Sequence, residues 1–252
     1  MSELIKSYYE NYNEDGRLFR DKAHLPEWLT TIKYFDRLFK PNSRILDACA
    51  GTGIYSFYLA EKGHDVIAAD LSEHNINILK NKPNAEKLAD IDVCNVLDLS
   101  QFEENSFDAV LCMGALYHLK TVDEKKKAIT ECVRVCKKNG FIALSYLNKY
   151  PIIIDEISPN IDNIDYILNF NEEPNNIFMA TTPKEIINLS ENNGIKILHN
   201  IGTDGLSFIL RDKINSASDE NFEKWMNFMY ETCEDEHILG LSMHGLLIGR
   251  KE

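Results

Sequence analysis

The sequence predicts an α/β fold built as a doubly wound, mostly parallel sheet of seven strands, and three observations carry that prediction. The first is the stretch Arg44–Ala60. A short apolar run (Ile45, Leu46) ends on Asp47, a small-residue turn follows from Ala48 to Gly53, and the next residues read as helix. Strand, tight turn and helix form the half-unit that opens such a sheet, and its turn lies at the carboxyl end of the first strand, where ligands bind. The second is repetition: Asp65–Asp70, Phe107–Cys112, Phe141–Leu147 and Ile195–Ile201 are further apolar runs, separated by segments with helical spacing. The third is the acid that closes each of the first two strands, Asp47 and Asp70.

Length and composition narrow the function classes. With 252 residues and 44% hydrophobic residues, the chain suits one large α/β domain or a core with an inserted cap. The formal charge of −13 weighs against broad nucleic-acid binding, whose affinity comes largely from neutralised phosphates. No leader-like or membrane-spanning run is visible, and the six cysteines lack paired metal-ligand spacing. The expectation is a cytoplasmic protein with reduced thiols, monomeric or homodimeric, with no metal, membrane or nucleic-acid partner.

The glycine turn is specific in its chemistry. Small residues let a ligand approach the backbone, and a helix amino terminus offers unpaired N–H groups. Asp47 puts a carboxylate beside the glycines, which suits a positively charged ligand better than a pyrophosphate. A dinucleotide turn also needs a third glycine where Ser56 stands. Asp70, some twenty residues past the turn, is placed to accept hydrogen bonds from ribose hydroxyls. An adenosyl amino acid bearing an ammonium group fits both acids.

These residues resemble motif I of the class I S-adenosylmethionine-dependent methyltransferases, Asp-x-Gly-x-Gly-x-Gly, whose positions here are Asp47, Cys49, Gly51 and Gly53. Cys49 replaces the first glycine, so the backbone there is expected to have negative φ. The resemblance extends through Phe107–Cys112, the His-bearing stretch Met113–Leu119 and the run Glu131–Asn148. It implies a Rossmann-like methyltransferase fold whose last strand is antiparallel, with S-adenosyl-L-methionine as cofactor and S-adenosyl-L-homocysteine as product. It also implies cofactor contacts from Asp47, Ala48, Gly51, Gly53, Asp70, Leu71, Asn95, Val96, Met113 and Gly114. Asn95 and Val96 follow the third strand, sought within Leu88–Leu99, and an amide there can meet adenine as donor and acceptor. Met113 and Gly114 stand where enzymes acting on bases carry Asn-Pro-Pro-Tyr, so the resemblance is to the small-molecule branch. His118 is either a general base or a residue that shapes the pocket.

The remaining chain divides as follows. Residues 1–40 are expected to form a helical lid packed on a domain comprising 41–252. Within the lid, Tyr8, Tyr9, Arg20 and Trp28 are candidate substrate contacts, Tyr9 also a candidate catalytic group. If Arg17, Arg20 and Lys22 face the acceptor, an anionic acceptor follows. Pro26 opens a helix ending near Lys40. Ser72 reads as an N-cap, and Thr121–Glu124 and Thr182–Glu185 read as capping boxes. The helix from Thr121 is expected to stop at Lys137–Gly140. Residues 148–180 read as a cap insertion or as a surface loop with short helices. Leu206–Leu210 reads as an extra antiparallel strand, Phe222–Cys233 as an amphipathic helix, and His244–Arg250 as the last strand. The function expected is methyl transfer to a small molecule. The alternatives are a non-catalytic cofactor-binding regulator and an RNA methyltransferase.

Overall fold

A computed structural model of the chain describes Tyr8, residues 14–173 and residues 176–252; Tyr9 lies outside the described residues. After a 3-10 turn at Glu14–Phe19 the elements run α1 (Leu25–Leu38), β1 (Arg44–Asp47), α2 (Ile54–Glu61), β2 (Asp65–Asp70), α3 (Glu73–Lys80), β3 (Asp90–Val93) and β4 (Phe107–Cys112). They continue as α4 (Val122–Val135), β5 (Cys136–Asn148), α5 (Lys149–Ile157), α6 (Ile164–Leu168), β6 (Ala180–Thr181) and α7 (Pro183–Glu191). β7 (Ile195–Gly202), α8 (Arg211–Asn215), α9 (Asp219–Thr232) and β8 (His244–Lys251) complete the order.

One sheet organises the molecule, in the order β3-β2-β1-β4-β5-β8-β7, with β6 paired to β5. β1 to β5 are mutually parallel, and β8 runs antiparallel to both β5 and β7. The sheet therefore has eight strands where seven were expected, the addition being the two-residue β6. Central strands read as unbroken apolar runs because helices cover both faces; Ile45, Leu46, Val110 and Leu111 are fully buried. The helices begin where their caps require. Ser72 accepts from the Asn75 N–H, and Thr121/Glu124 and Thr182/Glu185 form complete capping boxes.

Two expectations are corrected. α4 ends at Val135, and β5 begins at Cys136, well before Phe141. Lys137–Gly140 has the composition of a helix stop, yet it forms a register shift inside the strand: Phe107 pairs with Cys136 and Ala109 with Phe141. Asn139 takes φ 61° there, and a Cβ on Gly140 would lie 2.9 Å from the Asp108 carbonyl oxygen. Leu206–Leu210 is not a strand. Gly205 at φ 50° turns the chain, the Ser207 N–H donates to the Asp204 carbonyl, and α8 follows.

Residues 148–180 fold as α5, α6, 3-10 turns and β6. Leu147, Ile152, Ile167, Ala180 and Met243 form a separate apolar cluster there.

Gly245 is the tightest point in the sheet. It faces Tyr146 across the β5–β8 ladder, and an added Cβ would lie 2.1 Å from that ring. Tyr146 is buried, and its hydroxyl donates to Asn200 Oδ1. Gly245→Ala is expected to cost about 1–3 kcal/mol by overpacking, which thermal unfolding will register as a Tm lower by several degrees. An unchanged Tm would mean that the ring has room to move.

Candidate active site

The carboxyl ends of the parallel strands open on a cavity of about 370 Å3, within the range of small-molecule sites. Its wall has two halves. One comes from the ends of β1, β2 and β3, the other from the ends of β5 and β7, the start of β8, the 3-10 turn and α1.

In the first half, Ala48, Gly51, Asp70, Leu71, Asn95 and Val96 line the cavity. Gly51 and Gly53 take φ of 55° and 89°, and Cys49 is not among the positive-φ residues. The substitution of the first glycine therefore carries no backbone strain. Gly53 does not line the cavity; it serves the turn, where a Cβ would meet Leu79 at 2.8 Å. Asp70 Oδ2 accepts from the Gly51 N–H (2.8 Å), and Oδ1 accepts from the Ser72 N–H (2.8 Å) and Asn75 Nδ2 (3.3 Å). A carboxylate has about four acceptor positions, so capacity remains for a ligand hydroxyl. Burial raises the Asp70 carboxyl above its ordinary value, against the opposing hydrogen bonds.

Asp47 sits beneath this wall and not in it. Its Oδ2 accepts from Ser56 Oγ at 2.6 Å, and its Oδ1 is buried without a partner. Burial, aided by the nearby Asp70, pushes the carboxyl up to about 7 although Ser56 opposes it. Asn95 Oδ1 accepts from the Leu97 N–H (3.0 Å), which fills one of the two acceptor positions on that oxygen.

Between the halves lie Met113, Gly114 and His118, all lining the cavity. Gly114 has φ 122°, a conformation closed to other residues. His118 is buried, and its Nδ1 bonds the Ile177 carbonyl oxygen at 2.8 Å, so Nδ1 carries the proton. Burial lowers its pKa, which keeps the imidazole neutral.

Of the second half, the sequence pointed only to Arg17. Arg17 donates to both oxygens of Glu27 (2.7 and 2.8 Å). Glu27 Oε2 lies 3.3 Å from His244 Nδ1, and Asp204 Oδ2 lies 2.7 Å from the same nitrogen. Asp204 is fixed in turn by Ser242 Oγ and the His244 N–H, both meeting Oδ1. Burial alone would raise the Glu27 carboxyl, but Arg17 and His244 hold it at about 2. Burial lowers His244, yet Glu27 and Asp204 outweigh it and raise the pKa above its ordinary value.

The remaining sequence candidates lie elsewhere. Trp28 stacks on Tyr55 between α1 and α2, and Tyr8 meets Phe178 edge-on. Arg20 is exposed near His24. Lys22 holds the Ala217 carbonyl and Asp219. Of the basic trio only Arg17 reaches the cavity, and Glu27 neutralises it, so the condition for an anionic acceptor is not met.

Residues 46–144 match the family model described as a methyltransferase domain, a span that holds every landmark of the cavity's first half. That span carries a methyltransferase domain of the class I S-adenosylmethionine-dependent type. It is 31% identical to glycine/sarcosine N-methyltransferase of Parasynechococcus marenigrum, over 56% of this chain and 52% of that one. It is 33% identical to ubiquinone biosynthesis O-methyltransferase of Xanthomonas campestris, over 46% and 47%. The match thus spans about half the length of these curated relatives. The fold is also that of a TehB-like SAM-dependent methyltransferase from Corynebacterium glutamicum, with TM-score 0.54, 14% identity and 88% of each chain covered. The site fits the cofactor of such a domain, S-adenosylmethionine, on its own geometry: a fixed carboxylate at the end of β2, an amide after β3, and an orphaned buried carboxylate oxygen under the glycine turn.

Proposed function

We propose that the chain transfers the methyl group of S-adenosylmethionine to a small-molecule acceptor seated over the ends of β4 and β5 and the start of β8. The observation that carries the reading is the single cavity shared by the Asp70 half and the His244 half. In this reading Asp70 holds the ribose, Asn95 and Val96 hold adenine, and the Asp47 carboxylate offsets the ammonium group. Bound there, the cofactor supplies an activated sulfonium methyl for in-line displacement. The chain's own part is to align acceptor and methyl, where effective molarities are very large, and to keep water out. Met113 and Gly114 form the floor between the halves.

The lid reading of residues 1–40 is supported by Arg17, Leu18, Glu27 and Thr31, which line the cavity. Thr52 Oγ1 also ties the glycine turn to Asp15 at 2.8 Å. Residues 148–180 buttress the wall without lining it: Phe178 packs on Tyr117 and His118, and the Met179 N–H donates to the Tyr117 carbonyl. No helix among the described residues is long and apolar enough to cross a membrane.

The test is calorimetric binding of S-adenosylmethionine and S-adenosylhomocysteine, followed by transfer of labelled methyl to a panel of small acceptors. Folded protein that binds neither would remove the reading.

Asp47 adds a proton signature. An acid raised to about 7 is partly protonated at neutral pH, and a cation placed nearby lowers its pKa. Binding therefore releases protons near pH 7, and affinity rises as pH rises through about 7. Titrations in buffers of different ionisation enthalpy are expected to show this release, and Asp47→Asn to abolish it. Equal heats in every buffer would leave the ammonium elsewhere.

A further inference from the structure

We propose that His244, oriented by Asp204, is the general base that takes the proton from the methyl acceptor, and hence that the acceptor attacks through a protonated oxygen or nitrogen. This rests on the methyl-transfer reading above.

The topology puts the pair where an acceptor must lie. β8 is antiparallel, so its first residue, His244, reaches the edge at which β1, β2, β4 and β5 end; it pairs with Leu147 near the end of β5. β7 runs antiparallel to β8, with Gly202 opposite Gly245, so Asp204 emerges at the same edge. The pair thus shares the cavity with Asp70 but stands across β1, β4 and β5 from it.

The local bonding sets the tautomer. Nδ1 faces two carboxylates, Asp204 at 2.7 Å and Glu27 at 3.3 Å, and both only accept. Nδ1 therefore keeps its proton, and Nε2 is the nitrogen left for a ligand; among the described residues it has no partner. The ring retains 24% exposure while Asp204 and Glu27 retain 5% and 11%; His244 lines the cavity and Asp204 lies behind it. A reachable base held by a buried, hydrogen-bonded carboxylate is the arrangement of base and orienting group in proton-transfer sites. Asp204 is a positioning residue, since it acts through the ring.

The charge balance suits the task. The charged groups facing the ring, among the described residues, are Asp204 from the turn after β7, Glu27 from α1 and, behind Glu27, Arg17 from the 3-10 turn. Arg17 cancels one carboxylate, so an imidazolium formed at His244 meets one uncompensated negative charge. In the step, the acceptor's X–H bond breaks and its proton passes to Nε2. The electron pair left on X forms the X–CH3 bond, and the pair of the broken S–CH3 bond stays on sulfur as a neutral thioether.

The same three residues place their ligand atoms within 4.8 Å of one another, a spacing open to a divalent cation. Two features speak for proton sharing instead. The guanidinium already occupies both oxygens of Glu27, and a cation would have to displace the Nδ1 proton.

The experiment begins with ring-nitrogen NMR of the cofactor-saturated full chain across pH. The expected result is that Nδ1 stays protonated throughout while Nε2 titrates, and that Asp204→Asn lowers the midpoint by about one pH unit. A neutral ring protonated on Nε2 would overturn the proposal. Broadening of the ring signals by micromolar Mn2+ would do the same, assigning the cluster to a metal. Single-turnover transfer to phenols and amines then reads the function: His244→Gln is expected to slow it by about 10²–10⁴-fold, with calorimetric affinity for S-adenosylmethionine unchanged. An unchanged rate, or transfer confined to carbon or thioether acceptors, would refute the base. Loss of cofactor binding by wild type would instead refute the methyl-transfer reading, so the two failures are distinct.

Discussion

Asp70→Ala is expected to raise the dissociation constant for S-adenosylmethionine and S-adenosylhomocysteine by about ten- to a hundredfold. Hydrogen bonds to a charged group contribute about 1.5–3 kcal/mol, and each 1.4 kcal/mol is about tenfold. The alanine removes the ribose acceptor and also strands the Gly51 and Ser72 N–H groups that it satisfies, so the glycine turn loosens. Asp70→Asn separates these contributions, because its NH2 must confront one of those donors. Calorimetry at fixed pH checks both variants. Affinity equal to wild type in Asp70→Ala would take the ribose away from β2.

The largest stability effect is expected at Glu27. Removing one partner of a buried ion pair costs about 3–5 kcal/mol, because the other charge is left uncompensated; here Glu27→Ala strands Arg17 and part of His244. Replacing both partners, as in Arg17→Met with Glu27→Leu, is expected to cost less than either single change. The pH dependence has a definite sign. The folded carboxyl sits at about 2 against an ordinary 4.5, so this group's stabilisation is full above about 4.5 and is lost as pH falls towards 2. The difference corresponds to about 3 kcal/mol. Chemical denaturation between pH 6 and the acid limb is expected to show that loss in wild type and not in Glu27→Gln. Parallel acid limbs would place the carboxylate in solvent.

The Asp70 half of the cavity was legible because its residues are close in sequence. Asp47, Gly51 and Gly53 fall in one turn, and Asp70 closes the next strand, so spacing alone brings them together. Ser56, which argued against a dinucleotide turn, even proves to be the donor to Asp47. The His244 half joins residues 17, 27, 204 and 244, which are brought together by the placement of β8 between β5 and β7. One signal was available: a last strand running antiparallel brings its first residue, His244, to the ligand-binding edge. The start of β5 was hidden for the opposite reason, since Asn139-Gly140 has the composition of a stop and the bulge it forms depends on β4. Residues 148–180 lack a helical or strand period, and their order comes from a tertiary cluster.

Both ends of the cavity are tied to the packing of the sheet. At the Asp70 end, Ala48, Cys94 and Val96 line the cavity and belong to the apolar core as well. At the other end, Gly245 and Leu246 are wall and sheet interior at once, with Tyr146 pressed against the glycine. A mutation there that reshapes the pocket also disturbs the ladder. New acceptor preferences, whether evolved or engineered, are therefore expected to carry a stability cost, in β8 through the ladder and in α1 and the 3-10 turn through the Arg17–Glu27 pair.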